Sequence, residues 1–184
     1  MASPRPAPQR VAWPAVARCV AVSVPLLVRG QVRLPRHNLG RTFRFADGTT
    51  ATTYRETVVA RGPRDPCFLA VSFRLRGVRG PRGHAAFRAE SLLNTPLFVG
   101  FPGFVSKLWL AADERHVYRG LYEWDGSERA EHYARSLWRV LALVSEPTSI
   151  DYRIESGLGR DEAIRRSAET ALPGSGGWWQ VVEG

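Results

Sequence analysis

Between residues 130 and 144 the apolar side chains Ala130, Tyr133, Ala134, Leu137, Trp138, Leu141 and Val144 recur at helical spacing. Glu128, Arg129, Glu131, His132, Arg135 and Arg139 occupy the other side. A continuous apolar stripe of this kind must be buried against another layer, so this segment commits the chain to a helix packed on something. Asp125 stands at the expected cap, and Glu128 three residues on completes a capping box. Glu131 and Arg135 add an i,i+4 pair, and Pro147 ends the helix.

The other layer is written on either side in period-two segments. Residues 68–76 set Leu69, Val71, Phe73 and Leu75 on one face, with Ala70, Ser72, Arg74 and Arg76 on the other. Residues 104–111 and 116–124 predict two further strands, and the short 112–115 link between them predicts an antiparallel hairpin. Residues 149–155 predict a fourth, with Ile150, Tyr152 and Ile154 against Asp151, Arg153 and Glu155. After a turn-rich 77–83 connection, residues 84–95 predict a helix carrying Phe87, Leu92 and Leu93, with Pro96 at its end. The order strand, helix, strand, strand, helix, strand predicts an α+β, ferredoxin-like βαββαβ domain over 67–156, with a four-stranded antiparallel sheet and both helices on one face. Trp109, Tyr118, Tyr122 and Trp124 point to both faces, whereas a solvated face is poorer in rings. The expectation is therefore a second sheet packed face to face, most simply from a second copy, making a homodimeric α/β barrel.

The flanks have their own character. Residues 1–10, rich in Pro and Arg, predict no structure. Residues 11–66 form a basic arm. Its apolar stretch 11–28 is interrupted by Pro14, Arg18 and Pro25. Arg18 in mid-span argues against a membrane crossing, and residues 27–30 offer no cleavage site for a signal peptide. The stretch reads as a short helix that packs on the domain or, with Arg10, Arg18, Arg29, Arg33 and Arg36 around it, rests on an anionic membrane surface through residues 11–36. The expected location is the cytoplasm, with or without that peripheral attachment. Residues 42–59 predict a β-hairpin about the 46–49 turn, and the Pro-bounded 62–66 linker closes the arm. In the tail, 157–184, residues 161–172 predict a helix capped by Asp161, residues 174–177 a flexible joint, and residues 178–182 a docked edge strand.

The net charge of +9 is misleading until it is located. Residues 1–66 hold eleven arginines against three acids, while residues 67–156 hold twelve basic against ten acidic side chains. The excess lies in the arm, and no groove-reading or base-stacking motif accompanies it, so nucleic acid is not an expected partner. Cys19 and Cys67 are too few for a disulfide framework or a four-cysteine zinc site and read as small buried hydrophobes. No Gly-rich phosphate loop follows a strand, and Ser72 and Ser106 lack a spaced His/Asp pair. No metal or nucleotide cofactor is expected on these grounds.

The run Asn94-Thr95-Pro96-Leu97-Phe98-Val99-Gly100-Phe101-Pro102-Gly103-Phe104-Val105-Ser106-Lys107-Leu108-Trp109, followed by Tyr118-Arg119-Gly120-Leu121-Tyr122-Glu123-Trp124, resembles the YdhR-type monooxygenase-like family of the dimeric α/β-barrel superfamily. That pattern is a Pro-Gly-aromatic turn, a Lys-x-Trp strand, and a Gly-aliphatic-Tyr strand followed by an acidic-capped helix. The resemblance covers residues 67–156; the arm and tail have no counterpart in it. It implies a homodimer that acts without a cofactor on a small aromatic or polycyclic compound, the substrate carbanion itself reducing oxygen. Haem-degrading relatives of this fold make haem an alternative ligand.

Within that frame Lys107, Asn94 and Arg119 are the candidate catalytic residues, and Trp109, Tyr122, Phe104, Trp138 and His84 the candidate ligand walls. Lys107 or Arg119 would hold an enolate or phenolate oxyanion, while Trp109 and Tyr122 stack an aromatic ligand. The plainer alternative makes Lys107 an ion-pair partner of Glu90 or Glu123 and the rings core. Asn94 orients a substrate oxygen or satisfies a helix end. His84 and His116 have suitable basicity, but one precedes a helix and the other follows a turn. A non-catalytic dimer that binds a small hydrophobic ligand or acts as a scaffold, attached to the membrane or free, is the other class of function these residues admit.

Overall fold

The computed structural model describes residues 5–59, 62–77, 94–175 and 177–184. The helix expected over 84–95, with His84, Phe87 and Glu90, lies outside them except for its last two residues, where Asn94 sits in a turn and Thr95 opens a short 3-10 helix, Thr95–Leu97. The described elements are α1 (Gln9–Val28), β1 (Val32–Arg33), β2 (Thr42–Phe45), β3 (Thr50–Val59), β4 (Pro66–Arg74), β5 (Phe104–Leu110), β6 (Val117–Asp125), α2 (Ser127–Val144), β7 (Asp151–Ser156), α3 (Arg160–Thr170) and β8 (Val181–Glu183). The architecture is α+β.

The strands form one curled antiparallel sheet in the order β7-β4-β6-β5-β3-β2-β8, with β1 paired to β3 off that path. The four strands expected over 67–156 lie together, but they do not form a separate four-stranded sheet. β3 pairs with β5 from Thr53↔Leu110 to Val58↔Ser106, so the hairpin assigned to the arm continues the sheet. β8 in turn pairs with β2 and adds the chain's last strand.

Alternation along the strands separates two cores. On one face Leu69, Val71, Trp109, Tyr122 and Trp124 meet Val16 and Cys19 of α1 and Ala130, Tyr133, Ala134 and Leu137 of α2. This is the first half of the apolar stripe seen in the sequence, buried as its spacing required; Trp138 and Leu141 are half-buried and Val144 is exposed. On the other, Phe68, Ala70, Leu108, Leu110 and Leu121 meet Phe43, Phe45, Ala163, Ile164 and Val181, with Trp178 and Trp179 packed alongside. The four rings expected on both faces, Trp109, Tyr118, Tyr122 and Trp124, share by register the face that the helices cover, and the far face takes its rings from Phe43, Phe45 and Phe68, with α3 and the tail of the same chain over them. The need for cover that motivated a partner sheet is thus met in part internally.

Local differences have local causes. α2 begins after Gly126, whose φ of 99° suits glycine, and no side chain caps it. Asp125 instead accepts the backbone N–H groups of Arg64 and Asp65 (2.8 and 2.9 Å) and a 2.8 Å bond from Arg129, tying the linker to the helix start. α3 begins after Gly159 rather than at Asp161, which bonds Arg160. The 1–10 segment, expected to lack structure, contributes Gln9 and Arg10 to α1. Ala7 is held by α2: its N–H donates to the Arg135 carbonyl and its own carbonyl accepts from Arg139 Nε.

Candidate functional site

Register places the sequence-predicted residues in two neighbouring rows on the helix-covered face. Across β3, β5, β6 and β4, Thr57, Lys107, Tyr122 and Leu69 align in one row, and Arg55, Trp109, Gly120 and Val71 in the next. A Cβ on Gly120 would stand 2.6 Å from a ring carbon of Tyr122, so the missing side chain is what lets that ring lie over the second row. Lys107 Nζ then sits 3.1 Å from the Trp109 ring centroid, 4.7 Å from that of Tyr122 and 4.9 Å from that of Phe98. The Arg55 guanidinium carbon lies 3.7 Å from the same indole.

The polar atoms in this enclosure are largely spoken for. Trp109 Nε1–H donates to Thr57 Oγ1 at 3.1 Å, and the Tyr133 hydroxyl donates to that of Tyr122 at 3.0 Å. Burial raises both phenols above their ordinary range, so they stay protonated. Burial, and then the positive charge of Arg55, push the Lys107 amine well below its ordinary value. Among the described residues no carboxylate pairs with it. Glu90 lies outside them. Glu123 turns to the opposite face, where burial raises its carboxyl against the opposing pull of Arg160, whose charge and backbone N–H face it, and of the Ser106 hydroxyl. Lys107 is therefore an amine held towards its neutral form by burial and by the charge of Arg55, with three rings around it. In that form it is a base and a nucleophile.

Arg119, Asn94 and Trp138 do not join this group, and His84 lies outside the described residues. Arg119 lies on the far face, where its guanidinium binds Asp113, Asp47 (2.9 Å), the Thr49 hydroxyl (2.9 Å) and the Trp178 carbonyl (3.0 Å). It clamps two hairpin turns to the tail. Asn94 precedes the 3-10 helix without capping it through its side chain. Trp138 is half-buried on α2 and meets Tyr152 edge-on at 6.3 Å. Phe104 does join: its ring touches Phe98 at 5.2 Å, and Phe98 touches Trp109 at 5.1 Å.

Phe104 also faces outward into a cleft of about 1130 Å³ between α1 and the 99–105 turn. Val59, Val99 and Phe101 share its apolar floor; Arg18, Gln31, Arg64, Asp125, Arg129 and His132 supply its polar rim. Arg129 is engaged by Asp125, whereas the Arg18 and Arg64 guanidiniums meet no carboxylate among the described residues. Lys107, Trp109 and Tyr122 do not line the cleft; Phe104 and Phe98 link it to them by ring contacts. Sequence reasoning missed Arg64 and Arg55. The period-two pattern of residues 50–59 was the signal for Arg55, since it shares a parity with Thr57. Arg64 had none, because a linker carries no period.

Cys19 is no nucleophile here. Burial raises its thiol, with Ser23 opposing, and both side chains donate to the Pro96 carbonyl. Among the described residues no group of three or more His, Cys, Asp or Glu is placed to hold a metal ion. No protein-family model, curated protein or solved structure matches the chain, so the YdhR-type resemblance stands on the residues that carry it.

Proposed function

We propose that this chain binds a small amphipathic anion, an aromatic acid or phenolate, in the cleft between α1 and the 99–105 turn. The observation that carries this reading is the pairing of an apolar floor of Val59, Val99, Phe101 and Phe104 with two arginines, Arg18 and Arg64, that lack a described carboxylate partner. An apolar wall with a few convergent polar groups is the usual make-up of a small-molecule site. A guanidinium fork adds a directed bond to a carboxylate, sulfonate or phenolate oxygen. The test uses two naphthalene dyes of similar shape, anilinonaphthalene sulfonate and the uncharged phenylnaphthylamine. Both should bind the wild type, and the double variant R18Q/R64Q should lose about tenfold or more in affinity for the sulfonate alone, since a charged hydrogen bond contributes roughly 1.5–3 kcal/mol. Equal loss for both dyes, or no loss for either, would overturn the reading.

A second reading is favoured by Lys107. In it the domain is a ferredoxin-like, monooxygenase-like enzyme without a cofactor, as the YdhR-type resemblance implies. The order β7-β4-β6-β5 supports the ferredoxin-like part, being the order in which such a domain's fourth, first, third and second strands lie. Lys107, as a neutral amine, would take the proton from an aromatic substrate whose carbanion then passes electrons to oxygen. The rings of Phe98 and Phe104 would have to move for substrate to arrive. Oxygen uptake with quinol substrates that is abolished in K107M supports this reading; uptake that persists in K107M removes Lys107 as the base.

A further inference from the structure

We propose that the outward face of α1 docks on the surface of a membrane with anionic headgroups. Two independent features carry this. The first is the face itself. Ala12, Val16, Cys19 and Ser23 turn inward, and Gly100 lies so close beneath that a side chain there would strike the helix backbone at Cys19. The opposite side is apolar yet open: Trp13 is 42% exposed, Val24 51% and Val28 83%. An apolar helix surface belongs in a core or in lipid, and this helix, apolar apart from Gln9, Arg10, Arg18 and Ser23, has only one side in a core.

The second is charge. Residues 5–46 contain eight arginines and no aspartate or glutamate. Arg10 and Arg18 lie on α1, and Arg29, Arg33 and Arg36 follow it directly. None of these five forms an ion pair with a described residue. Side chains such as Trp13, Val24 and Val28 would enter the acyl boundary while the arginines meet phosphate, the arrangement of an interfacial helix. Crossing the bilayer is disfavoured, because it would pull Cys19 and Ser23 from the Pro96 carbonyl and carry Arg18 into hydrocarbon. Trp13, Val24 and Val28 do not line the cleft of the proposed ligand site, whose rim shares Arg18 with this surface.

The experiment floats the full chain with vesicles of phosphatidylcholine alone and of phosphatidylcholine mixed with phosphatidylglycerol. The protein should partition into the mixed vesicles by about tenfold or more over the neutral ones, and high salt should release it. V24D/V28D should lose this partitioning while keeping the wild-type unfolding midpoint and its affinity for anilinonaphthalene sulfonate. Equal partitioning into both vesicles, binding that survives high salt, or undiminished binding of V24D/V28D overturns the proposal. So does a wild type that stays off both vesicles, or one whose light scattering shows a dimer that V24D/V28D converts to a monomer, which would make the face an interface between copies. If the variant folds poorly, wild-type binding that survives high salt still overturns the proposal.

Discussion

Replacing Lys107 by methionine tests the electrostatics of the aromatic enclosure directly. Methionine keeps an unbranched, flexible side chain as far as Cε, with sulfur in place of one methylene, and lacks the amine. The competing effects are unequal. Contact with the rings favours an ammonium by roughly 2 kcal/mol when it is desolvated. Taking that ammonium out of water with no paired carboxylate costs several kcal/mol, and the positive charge of Arg55 adds to the cost. Desolvation wins, so the folded state holds the amine neutral where the unfolded chain protonates it. The sign follows from this imbalance. Between the lowered folded pKa and the ordinary value of 10.5 the unfolded state binds more protons, so stability rises with pH across that window. Its full slope is a tenfold gain in the folding equilibrium per pH unit, and the gain from this group ends once the unfolded lysine is also neutral. K107M should be more stable than wild type at pH 7, by about 1–3 kcal/mol. That advantage should shrink to nothing as pH approaches 10.5. Urea denaturation of both proteins at matched pH values measures the difference, and subtracting one from the other removes the titration of every other group. A K107M protein less stable at pH 7, with a difference that does not change with pH, would refute the argument, because it would mean a charged and well-compensated lysine.

Two further substitutions probe the frame around it. G120A should destabilise by about 1–3 kcal/mol in chemical denaturation, since its new methyl would meet the Tyr122 ring and displace it from the Trp109 row; an unchanged midpoint would show that the ring has room to move. R119M should cost roughly 3–5 kcal/mol, because it leaves the fully buried Asp113 without its guanidinium. The double variant R119M/D113N should recover part of that loss, and failure to do so would place the cost in the Asp47 and Trp178 contacts instead.

How much of this was legible follows from the range of the interactions involved. The α2 stripe and the alternation of residues 68–76 were readable because each reports a face through its own neighbours in sequence. The same parity brought Lys107, Trp109 and Tyr122 together, since once 104–110 and 117–125 are paired the rows follow without further information. Parity also separates Lys107 from Arg119, because the register pairs Leu110 with Arg119 and Lys107 with Tyr122, placing the two cations on opposite faces. Offering Lys107 or Arg119 for the same oxyanion rested on residue chemistry, whereas the register gives the ring-lined face to Lys107 alone. The long-range connections left no local trace. Asp125 has the ordinary sequence of a helix cap, yet the linker's N–H groups compete for the same carboxylate, and the helix starts at a glycine that needs no cap. The tail covers the far face through Trp178 and Val181, a choice made by the area those side chains hide and not by any period within residues 174–184. The outward face of α1 was invisible for the opposite reason. Apart from Arg10 and Arg18 its residues are apolar around most of the helix, so the sequence named a helix but not which side faces out; packing on Gly100 fixed the rotation. Once that rotation is fixed, the apolar residues left over and the arginines beside them become one surface, and its lipid affinity becomes a question for measurement.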